Sequence, residues 1–90
     1  MSYSRRYFKI KVSNYYNKQS NNTLVESSKG DVWFSYKTPI AFRTSETGVV
    51  VRQNDWSATT GKHLNSIDPD KSKRISGGDF MEQLKKAGLN

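Results

Sequence analysis

Between Val32 and Arg43 the side chains alternate with a period of two, which confines this stretch to an extended strand with one face turned to a core. Val32, Phe34, Tyr36, Ile40 and Phe42 share one parity, and Trp33, Ser35, Lys37 and Arg43 share the other. Pro39 has no N–H to offer a ladder, so the strand is interrupted there or lies on an edge. Thr44-Ser45-Glu46-Thr47-Gly48 reads as a hairpin loop in which Gly48 takes a positive φ, and Val49 to Gln53 as the returning strand.

Tyr3 to Val12 alternates in the same way. Phe8, Ile10 and Val12 form its apolar side, while Tyr3, Arg5, Tyr7, Lys9 and Lys11 form the other. Residues 17–30 are polar apart from Leu24 and Val25 and read as a flexible loop or a loosely held edge. Beyond the hairpin the period changes to that of a helix. Asn54, Asp55 or Ser57 caps it, Trp56, Thr60, Leu64 and Ile67 mark its buried face, and Asp68-Pro69-Asp70 ends it. Ser76 with Asp79 resembles a capping box for a last helix lined by Phe80, Met81, Leu84 and Ala87 and closed by Gly88. The expected fold is α+β in one domain over residues 1–90, a small antiparallel sheet of three to four strands with two helices on one face. Its core draws on Phe8, Ile10, Val12, Val32, Phe34, Tyr36, Ile40, Phe42, Val49, Val51, Trp56, Leu64, Ile67, Phe80, Met81 and Leu84.

Charge then narrows the function. The 90 residues carry a formal charge of +7, with 12% aromatic residues. Residues 1–18 hold Arg5, Arg6, Lys9, Lys11 and Lys18 and no acid, while residues 19–55 cancel to zero. A local excess of one sign attracts partners of the other. The absence of cysteine and the single histidine leave no thiolate nucleophile and no Cys/His metal site. Asp68 and Asp70 stand beside Lys71 and Lys73, a poor setting for a divalent cation, so neither a metal nor a cofactor is expected. The basic start lacks the apolar stretch of a signal peptide, and no run is long enough to span a membrane. The cytoplasm of a host cell is the expected location.

The clearest binding pattern is Tyr3 and Tyr7 interleaved with Arg5, Lys9 and Lys11. If the hairpin joins that sheet, Trp33, Lys37, Arg43 and Arg52 can lie on the same outer face. Cations neutralise phosphates and rings stack on splayed bases, so single-stranded nucleic acid is the natural ligand of such a platform. Lys62, Lys71, Lys73 and Arg74 add further phosphate contacts. The segment Trp56-Ser57-Ala58-Thr59-Thr60-Gly61-Lys62-His63 is not a P-loop, because it lacks the first glycine and has His63 where Ser or Thr belongs. Its hydroxyls read as helix caps before they read as phosphate ligands. His63 has no carboxylate at helical spacing, so catalysis is not expected, and the chain reads as non-enzymatic.

Val32-Trp33-Phe34-Ser35-Tyr36-Lys37-Thr38-Pro39-Ile40-Ala41-Phe42, followed by Trp56-Ser57-Ala58-Thr59-Thr60-Gly61-Lys62-His63-Leu64, resembles an uncharacterised small domain of phage and archaeal proteins. In that group a similar strand runs through a hairpin into a W-S-x-T-T-x-K-H-L helix. The resemblance spans roughly residues 32–67 and implies a viral or mobile-element origin, without implying any chemistry. Taken together, the sequence predicts a small basic viral accessory protein that binds nucleic acid through a basic and aromatic sheet face. The alternative is a module that docks on an acidic host protein, since exposed rings and arginines also make interface hot spots. Pairing into a homodimer would add stability to so small a core.

Overall fold

A computed structural model describes residues 10–89. Five strands form one antiparallel meander in chain order: β1 (Lys11–Ser13), β2 (Asn22–Ser27), β3 (Gly30–Ser35), β4 (Thr38–Thr44) and β5 (Gly48–Val51). Two helices follow, α1 (Ala58–Ile67) and α2 (Gly77–Lys86), separated by a 3₁₀ turn at Lys71–Lys73. The α+β class, the antiparallel sheet and the two helices are as the sequence predicts. Among the described residues the strands number five, one more than the upper expectation.

The two strands beyond the three alternating stretches of the sequence have separate sources. The alternating stretch from Val32 divides at Tyr36-Lys37, where a turn separates β3 from β4. In addition, the polar segment read as a loop contains β2, which pairs with β1 on one side and β3 on the other. What organises β2 is Asn22, a fully buried amide. Its Oδ1 accepts from the backbone N–H groups of Tyr15, Tyr16 and Asn17 at 3.0, 3.0 and 3.3 Å. Its Nδ2 donates to Asn17 Oδ1 at 2.6 Å. The chain from Tyr15 to Asn17 thus finds its hydrogen bonds in one side chain rather than in a ladder. Polar composition made this segment look loose, and polar composition is what ties it down.

The two helices cover opposite faces of the sheet, where a single covered face was expected. Val32, Phe42 and Val50 lie opposite one another across β3, β4 and β5 and pack with Phe80 and Leu84 of α2. Their neighbours Trp33, Ala41 and Val51 form the next row, which points the other way and packs with Leu64 and Ile67 of α1. Strands covered on both faces read as continuous apolar runs, and Ile40-Ala41-Phe42 and Val49-Val50-Val51 are such runs. A bulge sharpens the α1 side. Trp33 pairs with Ala41 but Phe34 with Pro39, which leaves Ile40 as the extra residue, packed with Ala41 in the same cluster. Pro39 sits at this irregularity, where a missing N–H is tolerated.

Local signals hold well. Gly48 ends the β4–β5 turn at φ 67°, Ser76 Oγ accepts from the N–H of Asp79 at 3.2 Å, and Gly88 follows α2 at φ 74°. After α1 and the 3₁₀ turn the chain returns beside β5, where Ile75 N–H donates to Val51 O and Gln53 N–H to Ile75 O in a parallel bridge. Several core expectations fail. Ile10 and Val12 are exposed because nothing covers the β1 edge among the described residues. Tyr36 lies in a turn, Val49 beside one, and Trp56 ahead of its helix, so these three are exposed as well. Phe8 lies outside the described residues.

Removing the Asn22 amide leaves three part-buried N–H groups without their acceptor. Asn22→Leu should therefore lower unfolding free energy by about 3 kcal/mol, measured by urea denaturation. A loss within about 0.5 kcal/mol, the scale of an ordinary surface substitution, would show that water takes over the role of the amide.

Candidate functional site

The end of β3 and the first half of α1 meet in a buried polar cluster. Ser35 closes β3, and Thr60 and His63 project from α1 toward it. Ser35 Oγ lies 2.8 Å from His63 Nδ1 and 3.0 Å from Thr60 Oγ1, and all three side chains are buried. The imidazole is enclosed by rings: Tyr16 and Tyr15 meet it edge-on at 5.2 and 5.9 Å between centroids, and Tyr36 lies at 6.4 Å. His63 Nε2 is buried and has no hydrogen-bond partner among the described residues. Burial disfavours the imidazolium and holds His63 below its ordinary titration range. Burial likewise pushes the Tyr15 phenol up, and its O–H donates to Phe34 O at 2.9 Å.

Above this cluster opens a cavity of ≈ 450 Å³. Ser35, Thr38, Ile40 and Thr60 line it, together with Ser57 and the two exposed rings of Tyr36 and Trp56. Tyr36 is held at φ 57°, a left-handed backbone that bulky side chains rarely adopt. Its N–H donates to Asn21 O at 2.9 Å, which ties the β3–β4 turn to the segment that precedes β2. Trp56 is held by Asn54, whose Oδ1 accepts the Trp56 N–H at 2.9 Å and whose Nδ2 donates to Ser57 O at 3.1 Å. The Arg52 guanidinium stacks 4.7 Å from the centroid of the Trp56 ring and 5.7 Å from that of Phe80. It fits there because position 77 is glycine: a Cβ at Gly77 would stand 2.7 Å from the guanidinium. Ser57 caps α1 without using its hydroxyl, so that group is available to the cavity.

The residues singled out in the sequence are dispersed. Tyr3, Arg5, Tyr7 and Lys9 lie outside the described residues. Lys11 heads a cross-strand row of Lys11, Glu26, Asp31 and Arg43, whose charges cancel. Arg43 is committed there, its Nε donating to Asp31 Oδ2 at 2.9 Å and its guanidinium lying over the Trp33 ring. Trp33 is half-buried against the α1-side core. Lys11, Trp33 and Arg43 share one side of the sheet, while Arg52 belongs to the opposite face and does not join them. Lys62 is exposed on α1, and Lys71 and Lys73 on the 3₁₀ turn. Arg74 is half-buried and spends its guanidinium on Asn65 Oδ1 and Asp68 O. Lys37 is exposed in the turn beside Tyr36 and Arg52 lies against Trp56, but neither lines the cavity.

Residues 9–83 match the family model described as a family of unknown function, DUF8033. The chain belongs to that family. No curated protein and no solved structure matches it. The matched span runs from just before β1 into α2 and contains every residue lining the cavity.

Neither Tyr36 nor Trp56 was among the residues picked for binding, because each fell on the buried side of a local period. The signals that could have found them are the Tyr-Lys-Thr-Pro stretch, which favours a turn, and Ser57, which as the cap starts the helix after Trp56 rather than before it. The partner of His63 is 28 residues away in the chain and leaves no trace in local spacing.

Because His63 is buried neutral, protonation favours the unfolded chain, which titrates near the ordinary value of 6.5. The stabilisation due to the neutral ring is complete above that pH and is lost as pH falls below it, by at most about 1.4 kcal/mol per pH unit for one proton. Urea midpoints measured from pH 7.5 to 5 should fall on the acid side, and His63→Gln should flatten that fall.

Proposed function

We propose that the protein binds single-stranded nucleic acid, holds one base in the cleft between Tyr36 and Trp56, and does no chemistry on it. The observation that carries this reading is the pair of exposed rings flanking a cavity of ≈ 450 Å³. That volume falls within the range of about 300–1,000 Å³ found for small-ligand pockets. Aromatic walls accept any base by stacking, while hydroxyls at the base of the cleft offer hydrogen bonds to its edge. Lys37 adjoins Tyr36 in the chain and Arg52 stacks on Trp56, which makes these two cations the candidates for phosphate contacts. The interface is thus a cleft at one end of the sheet rather than a sheet face. The +7 charge supports an anionic ligand. The likeness of residues 32–67 to a phage and archaeal domain supports an accessory role inside a virus-infected cell.

With Trp33 changed to phenylalanine, Trp56 is the single tryptophan and its fluorescence reports on the cleft. Single-stranded DNA or RNA should quench it, and duplex should not. Trp56→Ala should weaken binding by about 1–3 kcal/mol, roughly five- to 150-fold, the worth of one stacked base. If Lys37 and Arg52 each neutralise a phosphate, log K should fall with log[salt] at a slope of about −1.4. Absence of quenching by any nucleic acid at low salt would overturn the reading and leave the Trp56–Arg52 pair as a hot spot for a protein partner.

A further inference from the structure

We propose that Gly77, on a helix that does not line the cleft, is a positioning residue for it. The missing side chain gives the Arg52 guanidinium its seat, and the guanidinium fixes the Trp56 ring that walls the cavity. What this does to ligand binding rests on the base-binding role proposed above, whereas the placement of the ring is measured without any ligand.

The backbone of Arg52 is held from both sides. Its N–H donates to Ile40 O at 2.9 Å, and its two neighbours in the chain bond to Ile75. The side chain therefore leaves a fixed point. Its guanidinium lies 5.7 Å from the centroid of Phe80, a fully buried core ring, and 4.7 Å from that of Trp56, a ring that is 45% exposed. Hydrogen bonds add little. Nη1 reaches Pro39 O only at 3.5 Å, and Nε is buried with no partner among the described residues. Stacking on the two rings is what places the group. Trp56 in turn has its N–H bonded to Asn54 Oδ1, which fixes its backbone but leaves the side-chain torsions open. The guanidinium closes them.

A Cβ on Gly77 would stand 2.7 Å from Nη2, 3.1 Å from Nε and 3.2 Å from Cζ of Arg52. Helix α2 is anchored by the Ser76 cap and by Phe80 and Leu84 in the core, so the flexible guanidinium must move and the helix stays. The next residue supplies a matched contrast, because a Cβ on Gly78 would meet nothing within 4 Å. Neither glycine has a positive φ, so the backbone does not demand glycine at either position. At 77 the guanidinium does.

The test compares Gly77→Ala with Gly78→Ala in the protein whose Trp33 is phenylalanine, where Trp56 is the single tryptophan. Both substitutions raise helix propensity in the first turn of α2, so an effect confined to one of them is not damage to the fold. Gly77→Ala should make Trp56 more accessible to acrylamide and lower its fluorescence anisotropy. It should also weaken binding of oligo-deoxythymidine about two- to fivefold, the worth of an exposed cation–π contact. Gly78→Ala should change none of these. Arg52→Lys keeps the cation but loses the planar stacking face; it should reproduce the change at Trp56, and adding Gly77→Ala to it should change nothing further. That variant tests the same contact even if alanine at 77 prevents folding.

Trp56 signals that are the same in both glycine variants would overturn the proposal. So would an unchanged affinity of Gly77→Ala where Trp56→Ala still weakens binding, an outcome that leaves base binding standing. Failure of every oligonucleotide to bind would remove the base-binding role, and acrylamide access and anisotropy then decide the placement of Trp56 by themselves.

Discussion

A single hydroxyl–imidazole hydrogen bond joins the last residue of β3 to the middle of α1. Ser35 and His63 are both removed from water, so neither can exchange its partner for solvent without opening the interface between sheet and helix. The helix is thereby held at the depth where Thr60 closes the chain of hydroxyls and Leu64 enters the core beside Ile40. The start of α1 also sets where Trp56 emerges, while the end of β3 sets where Tyr36 turns out. The cleft is the space left between two chain segments that this contact and the Ser35–Thr60 bond hold together. The tyrosines around the imidazole extend its influence to the segment before β2, which Asn22 gathers from the other side.

Electrostatics follow placement more than totals. A chain with a large positive excess has, among its described residues, a cross-strand row of two cations and two anions that neutralise each other. It also has an arginine spent on a tryptophan face and another on a helix carbonyl. Counting Lys and Arg along the sequence treats all of these as available to a partner. Pairing and stacking withdraw several of them.

What the sequence revealed was local. The β4–β5 hairpin, the end of α1 at Asp68 and the Ser76–Asp79 cap depend on residues within a few positions of each other, and each was read correctly. Strand β2 was hidden because its stabilising groups are the polar ones that usually signal a loop. The distribution of helices over both faces was visible in Ile40-Ala41-Phe42 and Val49-Val50-Val51, although alternation elsewhere in the same strands argued for one wet face. The Ser35–His63 pair lay beyond any periodic reading, since it depends on the crossover after β5 delivering α1 to one particular face.

Tyr36 shows where stability and the proposed binding diverge in this chain. Its left-handed backbone costs of order 1–3 kcal/mol relative to a relaxed turn, and glycine or asparagine would remove much of that cost at the same position. Either would also take away one wall of the cleft. Drift toward a more robust molecule would thus begin by erasing the ring, so a thermostabilised variant obtained by random mutagenesis should be checked at this residue first.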